Sequence, residues 1–286
     1  MRHSTDDSST DKNYHHTEIT TYFNYLPHQM ATCSDTNLIT SMHGRSGQNE
    51  WKLPRLIAAC NKQARPDVDG TIDASEYLDD ENVLDAKLGI VAKLIRQSHN
   101  FVVYTGAGIS TASGIGDYAS KANHSMAMRE TSVNRLKAQP TLTHHVLAAM
   151  EKKHFLKHWV QQNHDGLAQR AGYPQEKLNE IHGSWFDKKN PVVLMGDRLK
   201  TNLHEWMIEW NQRSDLVLAM GTSMCGMTAD TVATSVTQRE GTLGLIIINL
   251  QKTPHDHLST IRIFAPCDKA MAILAKKLHI TIPKRM

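Results

Sequence analysis

The sequence is poor in cysteine, and the few cysteines it has stand far apart. They are Cys33, Cys60, Cys225 and Cys267 in a chain of 286 residues, with no C-x-x-C pair. Neither a disulfide framework nor a cysteine-rich zinc site is built from such spacing. We therefore expect neither of these, and we expect a reducing compartment.

Long apolar runs and an excess of charge of one sign are absent as well. No stretch approaches the roughly 20 residues that a membrane-spanning helix needs. The formal net charge is only +3, which does not indicate nucleic-acid binding. The opening residues, MRHSTDDSSTDKNYHH, contain early acids and no apolar core, so they do not resemble a signal peptide. We expect a soluble protein without a membrane or nucleic-acid partner.

The N-terminal quarter of the chain has no sustained apolar period. Residues 1–70 are rich in Ser, Thr, Asp, Asn and His, and we expect them to be largely disordered, with one short element around Leu53–Cys60. An ordered domain is expected from residue 76 to residue 286. It opens with a helix that Asp79 and Asp80 can cap. The apolar face of that helix comprises Leu84, Leu88, Val91, Ala92 and Ile95.

From this helix onward, apolar strands alternate with helices. The predicted strands are FVVYTG, HWVQQN, NEIHG, DLVLAMG, LGLIIINL and TIRIFA. The predicted helices are PTLTHHVLAAMEKKH with Thr141 as its cap, TNLHEWMIEWNQR and CDKAMAILAKKL. β-Branched strands mixed with helices indicate an α/β fold, a Rossmann-like parallel sheet with helices on both faces.

Polar, glycine-bearing segments follow five of these strands. They are TGAGIS, QNHDG, HGS, GTSM and NLQKT, in chain order. In a parallel sheet all five would meet at the carboxyl ends of the strands, where ligands of such sheets bind. Each segment alone is also compatible with an ordinary turn. Their convergence is the reason to expect a binding site.

The first of these segments has the chemistry of a phosphate cradle. Gly106 and Gly108 let backbone N–H groups approach a pyrophosphate, and Ser110 could open the next helix as an anion-binding terminus. The dehydrogenase fingerprint, however, needs a third glycine where Thr111 stands, and a second strand ending in an acid. A hydride-transferring enzyme is therefore disfavoured, and a long segment that could cover the ligand replaces the second strand.

The ordered part of the sequence resembles the sirtuins, the NAD-dependent protein deacylases, from about Tyr77 to the C-terminus. The motifs that carry the resemblance, in their sirtuin order, are GAGIS, GIGDY, PTLTHHVL, QQNHDGLAQRAG, EIHGS, DLVLAMGTSM, IIINLQKTP and CDKAM. The resemblance implies that NAD is cleaved at the nicotinamide–ribose bond and that the acyl group of an acyl-lysine is transferred to the ribose. The implied substrate is an acylated protein lysine, with a histone as one candidate, and the implied location is nuclear or cytoplasmic.

By the same resemblance, His182 is the general base that activates a ribose hydroxyl, a task suited to an imidazole titrating near pH 6.5. Asn163 and Asp165 are the implied nicotinamide and ribose ligands. Without the motifs around them, His182 would be interpreted as a packed histidine and Asn163 and Asp165 as part of a polar loop. The further implied cofactor-binding residues are Gly106, Ala107, Gly108, Ser110, Ile115, Asp117, Tyr118, Gln162, Gly221, Thr222, Ser223, Asn249, Leu250, Gln251 and Cys267. Cys267 alone could equally be a small buried hydrophobe.

A sirtuin has a zinc module of two cysteine pairs after the histidine strand, and this sequence has only SWFDKKN there. Seven residues without cysteine cannot supply four thiolates, so we expect NAD and no zinc. The next segment, VVLMGD, resembles the sirtuin strand that pairs with the substrate backbone. The implied substrate-binding residues are Val193, Met195, Gly196 and Asp197.

Other departures affect the covering segment and the substrate cleft. Sirtuins read G-I-P-D-[FY]-R where this sequence has Gly116 for the proline and Ala119 for the arginine, which removes a charge near the cofactor. CGMTAD replaces the usual x-V-x-P after GTSM. The leading hypothesis is a zinc-less protein lysine deacylase that releases nicotinamide and O-acyl-ADP-ribose. The alternatives are a non-catalytic module that binds NAD or ADP-ribose, and an ADP-ribosyltransferase or NAD hydrolase.

Overall fold

The computed structural model describes residues 40–67, 72–127, 136–194 and 196–282. All of them belong to one compact unit, Cys33–Met286. Residues 1–39 and 68–71, for which disorder was expected, lie outside the described residues. The strands, in chain order, are β1 (Arg55–Ala58), β2 (Glu76–Leu78), β3 (Phe101–Thr105), β4 (Leu156–Gln161), β5 (Leu178–Glu180), β6 (Leu216–Met220), β7 (Gly244–Ile248) and β8 (Ile261–Ile263).

The centre of the fold is a parallel sheet of six strands in the order β5-β4-β3-β6-β7-β8. Every residue of β3, β6 and β7 is buried, which explains why these strands read as continuous apolar runs. The six predicted strands and their parallel arrangement are confirmed. The strand order is that of a doubly wound Rossmann sheet, with β3 at the point where the winding reverses.

Helices cover both faces of this sheet, as predicted. They are α1 (Glu81–Gln97), α2 (Leu142–Lys152), the single-turn α3 (Leu167–Arg170), α4 (Thr201–Arg213), the single-turn α5 (Thr231–Thr234) and α6 (Cys267–Lys277). α1, α2 and α6 pack on the face that includes Phe101 and Val103, whereas α4 and α5 pack on the face that includes Val102 and Tyr104. None of the described helices has the length and apolarity to cross a membrane.

Local sequence signals place the helix starts. The Thr141 hydroxyl accepts the His144 N–H, and the His144 imidazole accepts the Thr141 N–H in return, so a reciprocal capping box opens α2. Asp80 caps α1 by accepting the Asn82 N–H. The predicted apolar face of α1 is buried over its whole length. α4 covers the same residues as the predicted helix.

The described part of the N-terminal region, residues 40–67, packs onto the domain that follows. The short element expected around Leu53–Cys60 is β1, which pairs antiparallel with β2. Further upstream, the N–H groups of Arg45 and Ser46 donate to carbonyls just before β8. Only a few isolated apolar residues of this segment, such as Met42 and Ala64, are buried. Such single contacts leave no periodic pattern in the sequence.

Asp79, expected to serve α1 only as a second capping acid, instead forms a buried ion pair. Its carboxylate accepts two bonds from the Lys87 ammonium, at 2.8 and 2.9 Å, and both side chains are inaccessible to solvent. It also accepts the Phe264 N–H at 3.0 Å, which joins the end of β8 to the start of α1. Burial raises the pKa of Asp79 and lowers the pKa of Lys87 to about 8, because desolvation outweighs the mutual attraction.

Asp79→Ala should therefore destabilise the protein strongly, by about 3–5 kcal/mol, because it leaves the Lys87 ammonium buried without its counter-ion. Urea unfolding of the purified variant measures this loss. The neighbouring substitution Asp80→Ala is the matched control, since it removes only an exposed helix cap and should cost clearly less. Equal losses for the two variants would contradict a structural role for the ion pair.

Candidate functional site

The switch point of the sheet creates a crevice between the loops that follow β3 and β6. The chain leaves β3 toward β4 and β5 on one side, and it leaves β6 toward β7 and β8 on the other. Connections that diverge in this way leave an opening at the carboxyl edge of the sheet. The five polar segments predicted to converge follow β3, β4, β5, β6 and β7, and all these strands run in the same direction.

Glycine is required in these two loops because their backbones touch. The Gly108 N–H donates to the Gly221 carbonyl at 2.8 Å. A Cβ added to Gly108 would lie 2.7 Å from the Gly221 Cα, and one added to Gly106 would lie 2.8 Å from the Gly221 oxygen. Gly221 itself has a φ of +60°, a left-handed conformation that favours glycine. From the sequence, Gly106 and Gly108 were expected to let the backbone approach a phosphate. The contact between the two loops is a second reason why these positions need glycine.

A cleft of about 1040 Å³ opens above these loops. The predicted cofactor-binding residues that line it are Ala107, Gly108, Asp117, Tyr118, Gln162, Gly221, Thr222, Ser223, Asn249, Leu250, Gln251 and Cys267. Ile115 instead lines a smaller adjoining cavity, to which Asp117 also contributes. Most of the residues predicted from separate motifs therefore share one cleft.

Ser110, Asn163 and Asp165 form a buried hydrogen-bonded cluster beside this cleft. The Ser110 hydroxyl donates to Asp165 Oδ2 at 2.6 Å, and the Asn163 amide donates to both Ser110 Oγ and the Gly106 carbonyl at 3.1 Å. The Leu167 N–H donates to the other oxygen of Asp165 at 3.0 Å. These bonds fix the orientation of an amide and a carboxylate, the groups that would complement a carboxamide and a diol.

The expectation that Ser110 opens a helix is wrong. Only two three-residue 3₁₀ turns, Ala107–Ile109 and Thr111–Ser113, flank it, and its side chain points to Asp165. The hydroxyl therefore joins the cluster with Asn163 and Asp165 and does not mark an anion-binding helix terminus.

His182 lies two residues beyond the end of β5 and is 9% exposed. Its pKa is lowered to about 4, chiefly by burial and secondarily by repulsion from His164, while a hydrogen bond to the Gln162 backbone acts in the opposite direction. The sequence predicted titration near pH 6.5, and the difference arises because the ring is enclosed by its neighbours. At neutral pH the imidazole is uncharged, the form that can accept a proton.

Gln162 connects the predicted catalytic residues to the cleft. Its side-chain amide donates to the Thr222 hydroxyl at 2.9 Å, and its N–H donates to the Thr105 carbonyl at 2.9 Å. His182 contacts its backbone, and Asn163 follows it in the chain. Asn163, Asp165 and His182 do not line the cleft themselves. These three residues lie beside the part of the cleft that is nearest the carboxyl end of β4.

The strand predicted at VVLMGD is absent from the described residues there. Only one bond of a ladder forms, from the Val193 N–H to the His182 carbonyl at 2.9 Å. The Asp197 N–H then turns back to the Leu194 carbonyl at 3.0 Å, and Gly196 has a φ of +89°. The preceding Pro191 has no N–H to donate. Met195 lies outside the described residues. Of the other predicted substrate-binding residues, Gly196 lies in this turn and Asp197 closes it, whereas Val193 makes the one ladder-type bond.

The short segment 184–190, where the resemblance would imply a zinc module, closes on itself. The Ser184 N–H donates to the Asn190 carbonyl at 2.8 Å, and the Asn190 side-chain amide donates to the Glu180 carbonyl at 3.0 Å. Within the described ranges no cluster of three or more His, Cys, Asp or Glu residues could hold a metal. The cysteines of the same ranges, Cys60, Cys225 and Cys267, are thiols and form no disulfide with one another.

Several residues that line the cleft were not predicted, among them Arg65, Glu76 and Asp268. Asp268 adjoins the predicted Cys267 and could have been found from that position. Arg65 and Glu76 belong to sequence without a motif, and they reach the cleft only because β1 and β2 pack beside it. No local signal marks such residues.

Two carboxylates and an amide hold the loop that covers the cleft. The Met126 N–H donates to Glu76 at 2.9 Å, and the Gln251 side chain donates to the Ala119 carbonyl at 2.8 Å. Asp117 accepts the Ala119 N–H at 3.0 Å. The described part of this loop is therefore fixed at several points. Residues 128–135, which continue it, lie outside the described residues.

Comparison with known proteins agrees with the resemblance seen in the motifs. A sequence profile for the Sir2 family matches residues 121–190. The chain is 30% identical over 256 residues to NAD-dependent protein deacetylase SRT1 of Arabidopsis thaliana, an alignment that covers 75% of this chain and 54% of that protein. It is 26% identical over 294 residues to NAD-dependent protein deacetylase sirtuin-7 of Homo sapiens, covering 86% of this chain and 69% of that protein. The chain thus spans about half the length of the plant protein.

Solved structures share the fold. A Sir2 structure with a p53 peptide and NAD+ superposes with a TM-score of 0.58 at 24% identity, covering 67% of this chain and 98% of the other. A Sir2 structure with a propionylated peptide gives the same score and identity, covering 68% and 100%. The fold is therefore that of the Sir2 structures, and the sequence is similar to the Sir2 family profile over residues 121–190 and to NAD-dependent protein deacetylases over three quarters or more of the chain.

Proposed function

We propose that the protein is an NAD-dependent protein lysine deacylase that releases nicotinamide and O-acyl-ADP-ribose. The observation that carries the proposal is the cluster of Ser110, Asn163 and Asp165 beside a glycine-lined cleft, with His182 at the adjacent strand end. The names of the relatives, NAD-dependent protein deacetylases of plant and animal origin, support the same activity.

The residues present fit NAD. Gly108 and Gly221 line the cleft without adding a side chain to it, and Thr222 and Ser223 add hydroxyl groups to the same cleft. Asn249, Leu250 and Cys267 would face the adenosine half. We propose NAD as the cosubstrate and no zinc requirement.

Bound NAD would supply an electrophilic ribose carbon and nicotinamide as the leaving group. In the proposed reaction the nicotinamide–ribose bond breaks as the acyl oxygen of the substrate bonds to that carbon. Asn163 and Asp165 would orient the carboxamide and the ribose hydroxyls, since both side chains are already held in place. His182 would accept the proton of a ribose hydroxyl. It is uncharged at neutral pH but a weaker base than free histidine.

We propose an acylated lysine of a protein as the second substrate, with a histone as one candidate. Solved relatives were captured with a p53 peptide and with a propionylated peptide, which supports an extended acylated peptide. The thiols of Cys60, Cys225 and Cys267 suit a reducing compartment, in line with a nuclear or cytoplasmic protein.

A second candidate, a module that binds NAD or ADP-ribose without turnover, is favoured by the missing substrate strand. The turn at Leu194–Asp197 leaves no ladder of backbone groups along the described residues of Val193–Asp197 to pair with a peptide. An ADP-ribosyltransferase or NAD hydrolase would also tolerate this loss, because neither depends on an acylated peptide.

One experiment separates these candidates. The protein is incubated with NAD alone, and with NAD plus a pool of acyl-lysine peptides, and products are identified by mass spectrometry. A deacylase gives nicotinamide and O-acyl-ADP-ribose only with peptide. Nicotinamide without peptide indicates a hydrolase. Saturable NAD binding without release of nicotinamide in either incubation would indicate a module that binds NAD without turnover.

His182→Ala should lower the rate of nicotinamide release by about 10²–10⁴-fold, because general-base catalysis contributes roughly that factor. NAD affinity should change little, since the glycine loops and the Asn163–Asp165 cluster are untouched. His99→Ala is the matched control. This exposed histidine lies just before β3, at the amino ends of the strands, whereas His182 lies at their carboxyl ends. Full activity of His182→Ala in the peptide assay would make His182 a packing residue.

The pH dependence of the rate should reflect the depressed pKa of His182. Its folded pKa of about 4 lies below the usual 6.5, so the proton-accepting form is retained until the pH falls toward 4. Steady-state rates measured with saturating NAD and peptide should therefore be nearly constant between about pH 5.5 and 7.5. A half-maximal rate near pH 6.5 would show that the working base is a different group or is solvent-exposed.

Chelation should leave the folded protein unchanged. We expect that a strong chelator does not shift the melting temperature, because no metal-binding energy is linked to folding when the closed segment 184–190 replaces the zinc module. Elemental analysis of the purified protein is the second measurement. One equivalent of zinc, together with unfolding on chelation, would contradict the zinc-less assignment.

A further inference from the structure

The cleft contains more negative than positive charge. Its described lining includes the carboxyl groups of Glu76, Asp117 and Asp268, and Arg65 is the one Lys or Arg residue among the described lining residues. A pyrophosphate carries negative charge, so carboxylates that face it would repel it and a guanidinium would attract it. The arrangement of the three carboxyl groups and Arg65 therefore decides whether the cleft can hold a pyrophosphate.

All three carboxylates are engaged by the protein itself. Glu76 accepts the Met126 N–H at 2.9 Å, and Asp117 accepts N–H groups of the covering loop at 2.7 and 3.0 Å. Asp268 accepts both the N–H and the hydroxyl of Thr143, at 2.9 and 2.7 Å. These hydrogen bonds hold the three carboxylates in place, so they serve to fix the walls of the cleft.

Arg65 is held at the edge of the cleft in a defined orientation. Its Nε and Nη2 donate to the two oxygens of Asp67 at 2.9 and 2.6 Å, and its side chain is only 13% exposed. On its N-terminal side, the backbone is fixed by bonds from the Ala64 N–H to the Ile72 carbonyl, at 3.0 Å, and from the Ala74 N–H to the Lys62 carbonyl, at 2.9 Å. A bidentate partner of this kind pre-organises a guanidinium.

Arg65 shares the cleft with the loop that follows β6, because Gly221, Thr222 and Ser223 of that loop line the same cleft. The pKa of Arg65 is raised, chiefly by the hydrogen bond to Asp67, against the lowering effect of burial. The side chain therefore remains charged beside the loop whose backbone lines the cleft.

We propose that Arg65 binds the pyrophosphate of NAD and of the ADP-ribose product. It supplies from the N-terminal segment the positive charge that sirtuins carry in the covering loop and that this chain lacks at Ala119. Hydrogen bonds between a guanidinium and phosphate oxygens are charge-assisted, and they are stronger than those between neutral groups. The inference rests on the proposed function, since it assumes that the cleft binds a dinucleotide.

The test measures binding of ADP-ribose by calorimetry to the parent protein and to three variants. Arg65→Gln removes the charge, Arg65→Lys keeps the charge without the planar fork, and Lys62→Gln removes an exposed charge of the same segment outside the cleft. Each titration is made at low and at high salt. Melting temperatures without ligand show whether a variant has altered the fold.

Arg65→Gln should weaken ADP-ribose binding by about tenfold to a hundredfold, the range for losing a hydrogen bond to a charged group. Its affinity should also depend less on salt than that of the parent. The affinity of Arg65→Lys for ADP-ribose should lie between those of the parent and Arg65→Gln. The affinity of Lys62→Gln should match that of the parent. The melting temperature should stay within a degree or two.

Parent-like affinity of Arg65→Gln would overturn the inference and leave the proposed function intact. The inference is also overturned if the weaker binding comes with a clearly lower melting temperature and an unchanged salt dependence, because Arg65 would then act on the fold alone. If the parent itself fails to bind ADP-ribose and NAD, the proposed function fails first, and the assignment of Arg65 fails with it.

Discussion

The close contact between the loops after β3 and β6 is the constraint on which the rest of the site depends. The Gly108 N–H reaches the Gly221 carbonyl at 2.8 Å, and this distance is possible only because neither residue has a Cβ. A wider separation would move the β3 loop away from Gln162 and Thr222, and it would displace Ser110 from Asp165. The cluster on one side of the loop and the cleft on the other are therefore two results of one backbone contact.

Most of the fold could be predicted because its signals are local. Buried β-branched runs marked β3, β6 and β7, and the Thr141 cap marked the start of α2. Most residues predicted to bind a cofactor share one cleft because several of them directly follow a parallel strand, as Gln162, Gly221 and Asn249 do. The pKa of His182 could not, since it depends on burial and on His164. Asp79 looked like a helix cap because its partner, Lys87, lies eight residues away and no pattern distinguishes it from an exposed lysine.

The region after His182 shows how a short connection closes beside the predicted catalytic residues. Segment 184–190 is closed by backbone bonds and by the Asn190 amide. Trp185 and Phe186 lie on this segment, and Phe186 lies against Gly166, next to Asp165. The short segment therefore lies over the predicted catalytic cluster, while the residues predicted to pair with a peptide include a turn that the Asp197 N–H closes onto the Leu194 carbonyl.

The strand β2 joins the N-terminal segment to both walls of the cleft. It pairs with β1 on one side, the Tyr77 N–H donates to the Leu250 carbonyl at 2.9 Å, and the carboxylate of Glu76 holds the covering loop. Opening that loop far enough to exchange ligand must strain the same hairpin that carries these bonds. Elements linked in this way open and close as one cooperative unit. We therefore expect the exchange of backbone amide protons in β1 and β2 with deuterated solvent to slow when a ligand occupies the cleft.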